Sequence, residues 1–413
     1  MKIGLLIPEF PTQTHVAMWR VGQAMRELGV EVQMMSTRRP ASSQRCHPAL
    51  VEESRRTYYA WPPRTGDVLG TLARSPGAVA RAIGYAGEVR ESGARGRMKV
   101  LAMIPAAAGL AGYCRREGIG HIFAHSCADA AHLVALSERM GGPAYSLRLG
   151  GDLEVYGKDH RAKMARATVV VAAARVNKEQ VHREVGLPEE RVIWSWLGVD
   201  TRRFVPREGA RRDGVLHLVT VARINGAKGH VHALRGMRRA LDAGARGEYT
   251  IAGAGPHEGV VREEIERLGL AGQVRMVGPL GEDRVLDLLQ SADAFILPTV
   301  GIGEGSPVAV IEAMSCGVAV ICSRIGGTAE MIDDGVDGLL VEPGDEGAIA
   351  EALVRLWEVP GEAQRLGRAA RARAEREFDC RRVAERILER IGVTVEEGAG
   401  ATGRASAGGV SGN

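Results

Sequence analysis

With 413 residues the chain is too long for one ordinary hydrophobic core, and two domains of about 200 residues are the natural division. Hydrophobic residues at 45% and charged residues at 25% are globular values, and six cysteines without a Cys-x-x-Cys pair or a histidine at zinc spacing argue against a disulfide scaffold or zinc module and for a reduced cytoplasmic protein. No apolar run approaches about 18 residues and no signal peptide is read, so a soluble or peripheral protein is expected.

The net charge of +4 hides an asymmetry: 24 Arg and 5 Lys against 19 Asp and Glu put residues 1–205 at +10, leaving −6 for the remainder. The basicity of the first half fits an anionic surface or substrate there, or simply a preference for arginine as the surface cation. Nucleic acid is disfavoured, because aromatics are only 4% of the chain and no helix-turn-helix, zinc or stacking motif accompanies the arginines.

Residues 2–7 (KIGLLI) form a predicted strand stopped by Pro8, and Val16, Trp19, Val21, Met25 and Leu28 follow at helical spacing before Gly29. Residues 31–35 are the next strand. The loop 9–15 of this βαβ unit therefore lies at the carboxyl end of strand one, where ligands bind in such folds. Thr12 or Thr14 suits the helix N-cap. Residues 40–59 are turn-rich. Residues 67–112 read as two helical stretches with Arg74, Arg81, Arg90, Arg95, Arg97 and Lys99 set among apolar side chains. This piece fits either helices with a solvated basic face or contact with an anionic membrane. Alternation resumes with strand 121–124, helix 128–140, strand 144–149, strand 168–173 and a helix from Val176. His125 and Gly150-Gly151-Asp152 follow strands and fall at the edge where a cleft opens; a histidine there also fits a structural hydrogen-bonding role.

After a polar linker over 201–214, strand 216–221 ends in Ala222-Arg223, with Lys228 five residues later and a helix from Gly229. Two fixed cations flanking a βα turn suit a diphosphate leaving group, whose bridging oxygen gains charge as its bond breaks. Strand 249–252 runs into Gly253-Ala254-Gly255-Pro256, a turn with backbone room for a nucleotide. It lacks a third glycine at dinucleotide spacing, and no acidic residue closes the following strand, so a nicotinamide reading is poor. Runs 274–277, 294–297 and 318–322 continue the sheet, 345–357 and 362–391 read as helices, and the Gly, Ala and Ser-rich residues 398–413 are expected to be disordered.

Residues 298–317, PTVGIGEGSPVAVIEAMSCG, hold the densest chemistry. Ser306 reads as an N-cap and Pro307 as the first helical residue, so free N–H groups at the helix start, beside Gly305, suit a phosphate. Glu304 precedes the cap and Glu312 lies about 7.5 Å along the helix past Pro307, so two carboxylates flank that position and suit paired hydroxyls.

Glu304-x7-Glu312, with EGSP in the loop and EAMSCG on the helix, resembles the signature of retaining family-4 glycosyltransferases of GT-B fold, in their bacterial exopolysaccharide and colanic-acid branch. FPTQTH, HIFAHSCADAA, YSLRLGGDLEVYG, Gly198-Val199-Asp200, the Arg223-x4-Lys228 pair and Gly326-Gly327-Thr328-Ala329-Glu330 extend the match. The resemblance implies an α/β fold of two Rossmann-like domains with parallel sheets facing a cleft. Residues 1–200 would take the acceptor and 201–375 the nucleotide sugar; 376–392 would cross back to the first domain, and 393–413 would be a tail. By the same resemblance Glu304 contacts donor-sugar hydroxyls, Glu312 the ribose, and Arg223 and Lys228 the diphosphate. Thr14 and His15 would cap a helix near the sugar-phosphate, His125 is a further catalytic candidate, and Gly253, Gly255, Gly305, Ser306 and Pro307 would line the nucleotide. Relatives carry a histidine where Gly150 stands, so a small space and one unmade polar contact are expected, with Asp152 or His125 as substitutes; the other reading of Gly150 is a turn residue at positive φ.

The expected reaction moves a hexose-type sugar from a nucleotide diphosphate sugar to a saccharide or lipid-linked acceptor with retention, in cell-surface polysaccharide synthesis. The nucleotide sugar is a co-substrate. No cofactor is expected, and with no Asp-x-Asp pair and two cations for the leaving group, no metal. An anionic membrane surface is an expected partner. A glycosidase would need a carboxylic acid to protonate a poor leaving group, which a diphosphate does not require. The alternatives are a non-catalytic nucleotide-sugar sensor, motivated by Gly150, and a sugar-nucleotide epimerase, disfavoured by the glutamate pair.

Overall fold

Short apolar runs bounded by turns become parallel strands in two separate sheets. The structure, a computed structural model, describes residues 1–12, 15–40, 48–207, 214–301 and 303–393. Thr14 and residues 398–413, for which the sequence carries expectations, lie outside these. The first sheet contains β1 (Lys2–Glu9), β2 (Glu31–Arg38), β3 (Tyr58–Tyr59), β4 (Ile119–His125), β5 (Ala144–Leu149), β6 (Val170–Ala172) and β7 (Val192–Trp194), in the order β3-β2-β1-β4-β5-β6-β7. The second contains β8 (Leu216–Val221), β9 (Gly247–Ala252), β10 (Val274–Gly278), β11 (Ala294–Leu297), β12 (Ala319–Ser323) and β13 (Leu339–Val341), in the order β10-β9-β8-β11-β12-β13. Strand order reverses between β1 and β4 in one sheet and between β8 and β11 in the other. Such switch points open a crevice at the carboxyl ends of the strands. His125 ends β4, Arg223 and Lys228 follow β8, and Glu304 follows β11.

Helices differ from the sequence reading where the chain breaks for local reasons. Residues 65–116 hold four helices rather than two: Thr65–Arg74, Ala78–Glu88, Gly93–Ala102 and Ile104–Arg116. The first break falls at Ser75, with φ −134° just before Pro76, and the second at the extended Val89. Pro105 sits in the first turn of the last helix, where its missing N–H costs nothing. Pro48–Arg56 is a helix inside the stretch read as turns. The helix expected over 362–391 is interrupted, because Asp379 is extended (φ −63°, ψ 130°) after a π-turn at Ala374–Phe378. Asp379 then caps the final helix, Cys380–Arg390, by accepting the Arg381 N–H at 2.9 Å.

That final helix buries Cys380, Val383, Ala384, Ile387 and Leu388 in one cluster with Ile3, Leu5, Met18, Val21 and Met25. Chain from beyond the second sheet thus completes the core of the first. Val199 anchors the crossing, donating to the Phe378 carbonyl and accepting from the Cys380 N–H, both at 2.9 Å. No helix among the described residues is long and apolar enough to cross a membrane.

Three imidazoles lie in the first sheet's core region. Burial holds His121 and His132 down to about 4 and pushes His125 well below its ordinary value. Their ordinary value is 6.5, so on acidification the unfolded chain takes up protons that the folded chain refuses. Stability is therefore lost as pH falls below 6.5 toward 4. The melting temperature should be level between about pH 7 and 8 and drop through the range where free imidazole titrates. His132→Gln should lessen the slope, and a profile flat from pH 7 to 5 would contradict the burial argument.

Candidate active site

The turn after β8 and the loop after β11 are pressed together backbone to backbone. Gly229 has φ 70°, and a Cβ there would stand 1.8 Å from the Pro298 carbonyl oxygen, so only glycine fits. The Val300 N–H donates to the Ala227 carbonyl at 2.8 Å, and the Asn225 side chain caps the turn by accepting the Lys228 N–H at 3.2 Å. Lys228 consequently reaches Glu304, its Nζ paired with the carboxylate Oε1. Glu304 is buried and its Oε2 has no hydrogen-bond partner. Arg223, at the same sheet edge, is exposed and its guanidinium has no ion pair among the described residues.

Glu312 meets a different cation. The helix Val308–Ser315 turns it inward, where Arg20 Nη1 of the first helix (Val16–Glu27) donates to its Oε1 at 2.7 Å. Arg20 also lies 3.2 Å from Glu282 and stacks over Phe204 at 4.7 Å from the ring centroid. Arg203 reaches Glu282 at 3.1 Å. Burial pushes the Glu312 carboxyl up, and Arg20 pulls it back down. The carboxylate expected to face a ribose is thus occupied across the domain boundary.

Ser306 is not the helix cap. Its hydroxyl accepts the Leu197 N–H at 3.0 Å, a contact across the boundary, and Pro307 takes the cap position, leaving the first N–H groups without a side-chain cap. Gly253 and Gly255 also have a local explanation. A Cβ on either would strike the Ala222 or Ile224 carbonyl, at 1.8 and 2.2 Å, where the turn after β9 packs on the turn after β8.

The first domain meets this loop at Gly150-Gly151-Asp152. A Cβ on Gly305 would lie 2.6 Å from the Gly150 oxygen, and one on Gly151 would lie 2.7 Å from the Gly303 oxygen. Asp152 Oδ2 accepts the Gly303 N–H at 2.8 Å, while its Oδ1 accepts from Asn177 at 3.0 Å. Gly326 and Gly327 back the same loop from behind, with the Gly327 N–H donating to the Glu304 carbonyl at 2.8 Å. Glu330 reaches across to accept the Arg175 and Val176 N–H groups at 2.9 and 2.8 Å, capping the helix Arg175–Val185, whose own cap residue, Ala174, has no side-chain acceptor.

His125 is half-buried, its Nδ1 atom buried and unpartnered, and it faces His15 edge-on at 5.5 Å between ring centroids. Ser126 follows at φ 108°, an uncommon conformation for a residue with a side chain. His15 stands at the start of its helix without capping it; its Nδ1 lies 2.8 Å from Thr12 Oγ1 and 3.1 Å from the Glu9 carbonyl. Gly150 is not at positive φ, and the space expected beside it is filled: a Cβ there would stand 2.7 Å from the Tyr156 hydroxyl. Arg20 and Tyr156 were not singled out in the sequence. The available signal for Arg20 was a cation among Ala17, Val21 and Ala24 on a helix face that must be covered.

Residues 202–373 match the family profile of glycosyl transferases group 1. The chain is 31% identical over 247 residues to the amylovoran biosynthesis glycosyltransferase AmsK of Erwinia amylovora, covering 58% of this chain and 60% of that one. It is 33% identical over 202 residues to the putative colanic acid biosynthesis glycosyltransferase WcaL of Escherichia coli K12, covering 48% and 50%. The matches thus span less than two thirds of these relatives' lengths. In three dimensions it superposes on Anabaena HepE in complex with UDP-glucose with a TM-score of 0.72 over 95% of this chain and 99% of that one, at 16% identity.

Arg20→Met should be strongly destabilising, by about 3 to 5 kcal/mol, because it leaves the buried Glu312 without a cation and Glu282 with Arg203 alone. Adding Glu312→Gln should recover part of that loss. Urea unfolding measures both, and a cost below about 1 kcal/mol for Arg20→Met would show that the triad contributes little to holding the domains together. The two parallel sheets and the superposition give the chain the GT-B fold, and residues 202–373 within it resemble the group 1 glycosyl transferases.

Proposed function

We propose that the chain transfers a hexose-type sugar from a nucleotide diphosphate sugar to a saccharide or lipid-linked acceptor, with retention, in exopolysaccharide synthesis. The observation that carries this reading is the Lys228–Glu304 pair at the second sheet's switch point, with Arg223, unpaired among the described residues, at the same sheet edge. An arriving diphosphate offers Lys228 a stronger partner than one carboxylate, and Arg223 adds a second charge. Glu304, released from Lys228, can then accept hydrogen bonds from sugar hydroxyls. The leaving diphosphate needs its growing negative charge balanced, and two cations at the strand end supply this without a divalent ion. Glu312 would reach a ribose only by giving up Arg20, so nucleotide binding would be coupled to the domain boundary.

The relatives named for amylovoran and colanic acid synthesis support the polysaccharide role, and the UDP-glucose bound to HepE supports a nucleotide sugar. The sensor alternative rests on Gly150 alone, and consumption of donor distinguishes it. UDP and uridine binding to Arg223→Ala and Lys228→Ala, measured by titration calorimetry, tests the phosphate role. Each change should cost UDP about 1.5 to 3 kcal/mol and uridine little. Equal losses for both ligands would reject it.

The membrane part of the reading rests on Leu69, Ile83 and Met98, exposed at 61%, 54% and 66% on helices that also carry Arg74, Arg81, Arg95, Arg97 and Lys99. Exposed apolar side chains among cations suit an anionic bilayer surface around a lipid-linked acceptor. Cosedimentation with phosphatidylglycerol vesicles should be strong at low salt and weaken at higher ionic strength, since screening acts beyond about 8 Å at physiological salt. Binding indifferent to anionic lipid and to salt would remove the electrostatic argument.

A further inference from the structure

Where the carboxyl edge of the first sheet touches the loop that carries Glu304, the main chain of Gly150 presents no side chain. Its carbonyl packs on Gly305, one residue from Glu304. The volume that a side chain at 150 would enter is held instead by the Tyr156 hydroxyl, 2.7 Å from the position of such a Cβ, with His125 Cε1 4.0 Å from the same point. Tyr156 comes from the next turn of the chain, the 3-10 helix Leu153–Tyr156, which is pinned at both ends. The Leu153 N–H donates to Gln180 at 3.0 Å, and the buried Lys163 donates to the Tyr156 carbonyl at 2.9 Å. Asp152, just before, holds Gly303 of the facing loop. The turn that carries the ring is therefore held from within the first domain, and Asp152 ties its start to the second. Burial pushes the phenol up to about 12. Across the working pH range it is a neutral hydroxyl that can donate a proton in a hydrogen bond, not a base.

Resting on the glycosyltransferase reading above, we propose that the Tyr156 hydroxyl is the acceptor domain's hydrogen-bond donor to the sugar held by Glu304, set in the place that a side chain at position 150 would otherwise fill. The donor sugar has to lie against Glu304, and Gly150 is one of two glycines by which the opposite wall touches that loop. A phenol fixed at this point contacts a hydroxyl of the sugar, so it affects sugar binding and choice, not the nucleotide. It has no contact to make with a free nucleoside diphosphate.

The test compares wild type with Tyr156→Phe, using the donor among UDP-glucose, UDP-galactose, GDP-mannose and ADP-glucose that stabilises the wild type most. Loss of one neutral hydrogen bond should lower kcat/KM for that donor roughly three- to tenfold, change the ranking among sugars on the same nucleotide, and leave the affinity for the nucleoside diphosphate unaltered. Gly150→Ala, whose Cβ would displace the hydroxyl, should cost a similar factor alone and little more when added to Tyr156→Phe. Unchanged kinetics for every sugar, or an equal loss in nucleoside diphosphate affinity, would overturn the assignment, the latter marking a structural role. A wild type that binds nucleoside diphosphate and turns over donor while Tyr156→Phe is silent refutes this proposal alone. A wild type that binds none of the four donors refutes the glycosyltransferase reading and this one with it.

Discussion

Everything about the cleft depends on an approach of main chain to main chain across the domain boundary that only glycine permits. Gly151 and Gly303 face each other, Gly305 lies on Gly150, and Gly327 lies behind Gly305, each at a distance that a methyl group could not share. Asp152 and Glu330 then bond backbone N–H groups of the opposite domain. The loop carrying Glu304 is consequently fixed from in front by the first sheet's edge and from behind by the Gly326-Gly327 turn. A loop of ten residues between β11 and its helix would otherwise have wide freedom.

On that frame the charges are already matched before any ligand arrives. Lys228 neutralises Glu304, while Arg20 and Arg203 between them neutralise Glu312 and Glu282. Glu304 and Glu312 are buried, so neither could remain ionised unpaired without a large desolvation penalty. The two pairs differ in what they connect. Lys228 and Glu304 both belong to the second domain, so exchanging that pair for a diphosphate changes the site alone. Arg20 belongs to the first domain, so any ligand that takes Glu312 also loosens the contact between domains. In the proposed reaction, a ribose that takes Glu312 would couple nucleotide binding to this domain contact through one guanidinium.

The sequence was most legible where structure is local. The strand before Pro298 and the helix Val308–Ser315 follow from apolar run length and turn residues, and the two parallel sheets from the alternation of such segments. Arg223, Lys228 and Glu304 stand out because βα turns place side chains at a strand's carboxyl end whatever the rest of the chain does. What was not legible depends on partners far away in sequence. Ser306 has the chemistry of a helix cap, yet Leu197 supplies a competing N–H that no local pattern reveals. Gly253 and Gly255 look like room for a ligand, but their space is taken by carbonyls of 222 and 224. Arg20 is 292 residues from Glu312, and Tyr156 reaches Gly150 only because a 3-10 turn folds back. The break at Ser75 is written locally in Pro76-Gly77, whereas no proline or glycine adjoins the extended Val89.

The central claim is that this cleft releases the diphosphate from the sugar's anomeric carbon and joins that carbon to an acceptor oxygen on the same face of the sugar. Proton NMR of the product formed from the preferred nucleotide sugar and a saccharide or lipid-linked acceptor reads this directly, through the coupling constant of the anomeric proton. The account predicts that donor is consumed and that the new linkage keeps the donor's anomeric configuration. A product of inverted configuration, or donor that is bound but never consumed, would contradict it.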